Sequence, residues 1–341
     1  MNARILGKPD IKYANKKITV TDEGKWVLKC IQLKECPTMP PWGFSRIDDN
    51  PNRLKFGVEP AVESFMNEMR NLGIAVPDGK NQLSIGCRHL TERGRELKRV
   101  FKSCQQEGIK FLLIIQGTKL SLFNAIKRFG DIHYGIHTIC VLGRSNKFLN
   151  KSGSKFQYHA NVGLKVNLKL GGINHDFEPA KLGIISERKT MVFWVDVTHP
   201  SFESSKKAQN IATMVASIDQ RLGVWPATLQ IQQHDENKQS KEIIKNKGEM
   251  LKSRLDVWWG GKKTLPQNLL IYRDGVSEGQ YSTVLEDEVK AMREVCKFSY
   301  PPGREPRMTV IIVGKRHHTR FYPKEDTHQH FVDHGQRMAQ P

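Results

Sequence analysis

No CxxC pair occurs anywhere in the 341 residues: the six cysteines, Cys30, Cys36, Cys87, Cys104, Cys140 and Cys296, are scattered. That spacing excludes a zinc ribbon and a disulfide framework, and fits reduced thiols in a cytoplasmic or nuclear protein. No apolar run approaches the roughly 20 residues of a membrane-spanning helix, and Met1 to Asp10 has no signal-peptide hydrophobic stretch. Internal repeats and low-complexity tracts are missing too. Negative charge is in short supply: 35 Asp+Glu stand against 54 Lys+Arg, a net +19. The imbalance favours a polyanionic partner, because Lys and Arg release counterions when they neutralise phosphates. A membrane surface is the competing anion, and a soluble nucleic-acid binder is the better fit.

The shortage of acids is most marked between Lys110 and Gly172, where ten Lys/Arg face a single acid, Asp131. Solubility alone needs no such asymmetry. Lys165 and Lys169 lie four apart in GLKVNLKLGG, so on a helix both ammoniums project from one face, with Gly171 and Gly172 ending it. Like charges at that spacing repel, and a neighbouring anion turns the repulsion into attraction. Phe123 and Lys127 are a second four-apart pair, an aromatic face that can carry a nucleobase beside a cation that can take its phosphate.

Two apolar runs each close on an aspartate: TMVFWVDVTHP reaches Asp196, and NLLIYRD reaches Asp274. Both read as buried strands delivering a carboxylate to their ends. Each aspartate alone could simply start a loop or cap a helix. Together they imply one site for Mg²⁺ or Mn²⁺, because oxygen donors hold these ions and two of them can clamp a phosphodiester.

The length suits two domains. Residues 1–55 read as a connector with a strand over Gly24 to Leu33, broken by Pro37, Pro40 and Pro41. Helices are predicted from Glu59 to a stop at Gly73 and from Thr91 to Gln106. Strands follow at Phe111 to Ile115 and His137 to Gly143, with a helix between them ending near Gly130. Alternation of this kind predicts a parallel α/β sheet with an anion crevice at the strand carboxyl ends. After about Glu178 come strands at 190–197, 208–219 and 227–234, a charged helix from about Lys238, strand 268–274, helix 277–299 and strand 308–315. That is the order of an RNase H-like fold.

DVTHP at 196–200, QIQQH at 230–234, YRDGVSEGQ at 272–280, KRHHTR at 315–320, KRFGD at 127–131 and LKVNLKLGG at 164–172 together resemble the MID and PIWI domains of eukaryotic Argonaute proteins, and among them a fungal one. The resemblance implies a Rossmann-like MID domain over residues 56–178 and an RNase H-like PIWI domain over 179–322, with 323–341 a non-matching tail and the PIWI domain expected to be truncated there. It implies a partner, a small guide RNA whose 5′-phosphate is gripped by Lys127, Lys165 and Lys169 and whose first base stacks at position 123. There the usual Tyr is Phe123; the usual Gln two residues before Val141 is Ile139, with Thr138 beside it as a substitute donor. In the PIWI half Asp196 and Asp274 match two metal-binding members of a catalytic tetrad, and Glu242 matches the third, with Glu236 as its rival. The fourth, a His or Asp, would lie beyond KRHHTR. His328, His330 and His334 fit no standard metal spacing. The expectation is a guide-binding silencing protein that meets complementary target RNA and silencing cofactor proteins, with cleavage lost. The alternative is a metal-dependent endoribonuclease using Asp196, Glu242 and Asp274.

Overall fold

In the computed structural model the described residues are 7–21, 25–47, 58–77, 81–82, 93–116, 122–143, 148, 154–187, 189–199, 209–219, 221–232, 244 and 246–314. The chain divides into two compact units, Met1–Phe177 and Glu178–Pro341.

In the first unit β1 (Asp10–Lys12) and β2 (Lys17–Thr19) pair antiparallel. A four-stranded parallel sheet, in the order β4-β3-β5-β6, joins β3 (Trp42–Ile47), β4 (Asn81–Gln82), β5 (Phe111–Gln116) and β6 (His137–Leu142). Every side chain of β5 is buried, which is why Phe111 to Ile115 are apolar without a break. Phe111, Leu113 and Ile115 pack towards α1 (Glu59–Asn71) and α4 (Ser154–Lys169). Leu112 and Ile114 pack towards α2 (Arg93–Gln106) and α3 (Phe123–Lys127). Helices on both faces make this a doubly wound, Rossmann-like layer arrangement.

Three expectations need correction in this unit. Residues 25–33 form no strand: Cys30 takes a left-handed φ of 53°, and Leu28, Ile31 and Leu33 are buried as an irregular segment over the core. The stretch read as a connector also supplies β3, paired from Trp42↔Phe111 to Ile47↔Gln116. No local pattern after three prolines reveals that pairing, because it is imposed by β5. The helix after β5 does not run straight to Gly130; α3 passes into a π-helical stretch, Arg128–Tyr134, closed by Gly135 at φ 61°.

The second unit is a five-stranded sheet in the order β11-β10-β7-β8-β9. Its strands are β7 (Thr190–Thr198), β8 (Asn210–Ala216), β9 (Ala227–Gln232), β10 (Asn268–Asp274) and β11 (Arg307–Val313). β7, β8 and β9 form an antiparallel meander, while β10 runs parallel to both β7 and β11. Between β9 and β10 lies α5 (Lys247–Lys262). After β10 come a 3₁₀ turn (Glu278–Gln280), α6 (Tyr281–Thr283), a π-helical stretch (Val284–Val289) and α7 (Lys290–Ser299). This is the RNase H-like order that the apolar runs predict.

Met191, Phe193, Val195, Leu269 and Ile271 point to one face, where Met250, Leu251 and Leu255 of α5 and Met292 and Cys296 of α7 cover them. The opposite face is more open than the apolar sequence of β7 suggests. Trp194 there is 37% exposed and stacks on Tyr272, ring centroids 5.7 Å apart. Among the described residues no helix is long and apolar enough to cross a membrane.

Candidate functional site

In the first unit the structure gathers cations at the amino end of β6. Lys127, the last residue of α3, donates from Nζ to the carbonyl and the hydroxyl of Thr138, at 2.7 and 2.8 Å. Gly130 makes the close approach possible: a Cβ there would sit 2.8 Å from Thr138 Cγ2 and 2.9 Å from the Ile136 carbonyl. Lys127 also lies 5.6 Å from the centroid of the Phe123 ring, which is 47% exposed. An open aromatic face thus stands beside a half-buried ammonium.

Lys169 joins them from the end of α4. That end is fixed from below: Asn167 Nδ2 donates to the Glu35 carbonyl at 3.1 Å and to Asn174 Oδ1 at 3.0 Å. A Cβ at Gly172 would collide with Asn167 and with the Glu35 carbonyl, and Gly171 turns the chain at φ 86°. Burial pulls the Lys127 ammonium below the ordinary lysine value, and Lys169 adds to the depression, against opposing effects from Cys140 and Asp131. Lys169 likewise helps burial to depress His137. Half-buried cations that act on each other make a site whose electrostatics improve when an anion arrives.

These cations therefore gather at the amino end of β6, not at the strand carboxyl ends where an anion crevice was expected. A helix between parallel strands runs back against them, so its last turn lands where the next strand begins. Helix C-termini also favour cations. Thr138 differs from its expected part as a substitute donor to ligand: it is fully buried and accepts from Lys127. Ile139 turns the other way, into the core with Val141 and Val166. Lys165 sits one turn before Lys169 on α4 and is exposed.

In the second unit β7 and β10 pair in register through Val195↔Arg273, which brings Asp196 and Asp274 opposite each other at the next position. Neighbouring strands are about 4.8 Å apart and in-register side chains share a face, so the two carboxylates lie on one face, Asp274 at the end of β10 and Asp196 two residues before the end of β7. Asp274 is only 4% exposed, while Asp196 is half-buried and accepts from the Val197 N–H at 2.9 Å. Gly275 at φ 82° then turns the chain away. Two oxygen-donor side chains at this spacing fit Mg²⁺ or Mn²⁺, which keep several waters and are completed by substrate phosphates. Among the described residues no group of three metal-ligating side chains occurs. Glu242, Glu236, the KRHHTR motif and His328, His330 and His334 lie outside the described residues.

Behind Asp274 is a cluster that the sequence reading passed over. Arg273, Glu288 and Lys247 are each 2% exposed. Arg273 Nε donates to Glu288 Oε2 at 3.1 Å, and Lys247 Nζ is ion-paired with Oε1. The signal was present in NLLIYRD: an arginine inside a buried strand requires an acid partner.

Residues 110–338 match the Piwi domain family. Protein argonaute 12 of Oryza sativa subsp. japonica is 30% identical over 372 residues, which covers 95% of this chain and 32% of that protein. Protein argonaute 18 of the same plant is 29% identical over 343 residues, covering 95% of this chain and 29% of its own. The chain thus spans about a third of the length of these relatives. Among solved structures, the MID-PIWI domains of N. crassa QDE-2 superpose with a TM-score of 0.65 at 31% identity, covering 82% of this chain and 75% of that one. The Kluyveromyces polysporus Argonaute, solved with a guide RNA, superposes with a TM-score of 0.76 at 25% identity, covering 95% of this chain and 40% of that one. With the two folds, the paired aspartates and these matches in agreement, the chain belongs to the Argonaute proteins of the Piwi domain family.

Proposed function

We propose that this chain binds the phosphorylated 5′ end of a small guide RNA between Phe123, Lys127 and Lys169, with Lys165 at the rim, and acts with that guide on complementary RNA in gene silencing. The carrying observation is a half-buried Lys127 beside the exposed Phe123 ring, within electrostatic reach of Lys169. Two ammoniums can divide a terminal phosphate between them, while the Phe123 face takes the first base. The net charge of +19 supports retention of the remaining backbone. The guide-bound yeast Argonaute lends the reading family support. Silencing cofactor proteins as partners and a cytoplasmic or nuclear location belong to the same proposal.

The test compares a short RNA bearing a 5′-phosphate with the same RNA bearing a 5′-hydroxyl at near-physiological salt. The phosphate form is expected to bind more tightly, and Lys127→Ala or Lys169→Ala to abolish the difference. Equal, strongly salt-dependent binding of both RNAs would overturn the reading.

The register of Asp196 with Asp274 favours a second reading, a metal-dependent endoribonuclease. In it Mg²⁺ or Mn²⁺ is held by these two carboxylates, with Glu242 or Glu236 as the third. The ion would supply Lewis-acid stabilisation of the phosphodiester's developing charge. Cutting of a guide-matched RNA in Mg²⁺, lost in Asp196→Ala, would establish this reading. Phosphate preference without cutting would leave the first.

A further inference from the structure

Glu288 is bonded to two segments distant from it in sequence, Ile244–Lys247 and Arg273. Its Oε1 accepts from the Ile244 backbone N–H at 3.3 Å and from Arg273 Nη2 at 3.4 Å, and is paired with Lys247; its Oε2 accepts from Arg273 Nε at 3.1 Å. The same arginine donates from Nη1 to the carbonyl of Asp274. One carboxylate therefore gathers the chain entering α5, the start of α5 itself, and the end of β10 at the residue that carries the metal-binding side chain. Glu288 stands in the π-helical stretch Val284–Val289, a backbone form that is rare and concentrates at functional sites.

Burial sharpens the argument. Arg273 keeps its proton under all ordinary conditions, so in a dry position its charge needs an acid with fixed geometry. Glu288 meets that need through two nitrogens of one guanidinium, and this fork sets the orientation of the whole group. The remaining nitrogen then holds the main chain at Asp274, where the strand ends and Gly275 begins a turn. Arg273 and Asp274 point to opposite faces of β10, so the arginine braces the Asp274 main chain from the core side.

We propose that Glu288 is the positioning residue of the Asp196–Asp274 site: it orients Arg273, and Arg273 fixes the backbone on which the Asp274 carboxylate is mounted. This rests on the reading of the two aspartates as metal ligands. Groups that orient metal ligands typically change metal affinity by about 10- to 100-fold when altered.

The test titrates Mn²⁺ into the full chain and reads free Mn²⁺ by electron paramagnetic resonance, with a thermal melt of each variant alongside. Asp196→Ala is the control for the metal reading, and Glu288→Asp keeps the charge while shortening the arm by one methylene. Glu288→Gln keeps the length and removes the charge. The expected result is a loss of at least about tenfold in Mn²⁺ affinity for Glu288→Asp, in a protein that still melts cooperatively. Wild-type Mn²⁺ affinity in a cooperatively melting Glu288→Asp, with Asp196→Ala impaired, would overturn the positioning role and leave the metal reading standing. Equal binding by wild type and Asp196→Ala would remove the metal reading and this inference with it. Loss of the cooperative melt in both Glu288 variants would make Glu288 a residue of the fold and overturn the assignment.

Discussion

Lys127 is held by both oxygens of one residue, the carbonyl and the hydroxyl of Thr138. An ammonium has three protons; two are committed to Thr138, and among the described residues no further acceptor takes the third, which can meet an anion. The bond to the hydroxyl can be removed alone. Thr138→Val keeps the shape and the backbone acceptor and deletes the oxygen, a loss of about 1 kcal/mol. Affinity for 5′-phosphorylated RNA is expected to fall about fivefold by fluorescence anisotropy, with binding of 5′-hydroxyl RNA unchanged. Equal effects on both RNAs would mean that Thr138 does not serve the phosphate site.

Lys165 and Lys169 are equivalent in the sequence and unequal in the structure. Lys169 is half-buried at the anchored end of α4 and acts on Lys127, His137 and Cys140, whereas Lys165 is exposed one turn earlier. Charge-assisted contacts away from bulk water are worth about 1.5–3 kcal/mol, against at most about 1 for exposed pairs. Lys169→Ala should therefore weaken 5′-phosphate binding by about tenfold or more, and Lys165→Ala by about fivefold at most. Similar losses from both would place the phosphate further along α4.

The carboxylate pair was legible because Asp196 and Asp274 each follow an apolar run, Met191 to Val195 and Leu269 to Ile271, of the kind a central strand requires. The basic helix faces were legible for a similar reason, four-residue spacing. What sequence did not carry was contact across the fold. β3 follows prolines and exists because Trp42 through Ile47 align with β5. Thr138 looked like a donor to ligand until α3 was seen to end on it. Arg273 announced a need for an acid, but Glu288 lies 15 residues on, and a π-helical stretch that no periodicity predicts presents it. Similarly, the inequality of Lys165 and Lys169 depends on how Asn167 and Gly172 seat one helix end.

The Lys247–Glu288–Arg273 cluster has two cations for one anion, all three almost sealed from solvent. Burial pushes the Lys247 amine down to about 6, and the Arg273 guanidinium adds to the shift, while Asp287 opposes it. Because Arg273 holds its proton, Lys247 is the member that gives one up above that value, where its ion pair with Glu288 becomes the contact of a neutral amine with a neutral Arg–Glu pair. In the unfolded chain the same lysine titrates at its ordinary value of 10.5. Between about 6 and 10.5 the unfolded state thus carries a proton that the folded state lacks, so stability rises with pH through that window. The slope is at most about 1.4 kcal/mol per pH unit, and below the folded value this group contributes no further change. Lys247→Met fills the space without a titrating group and keeps the Arg273–Glu288 pair; replacement of a buried charge by an apolar side chain is commonly neutral or stabilising. Thermal melts should show the variant more stable than wild type near pH 6, with the gap closing as pH rises. A constant gap across the series would mean that Lys247 keeps its proton in the folded protein and that Glu288 serves both cations at once.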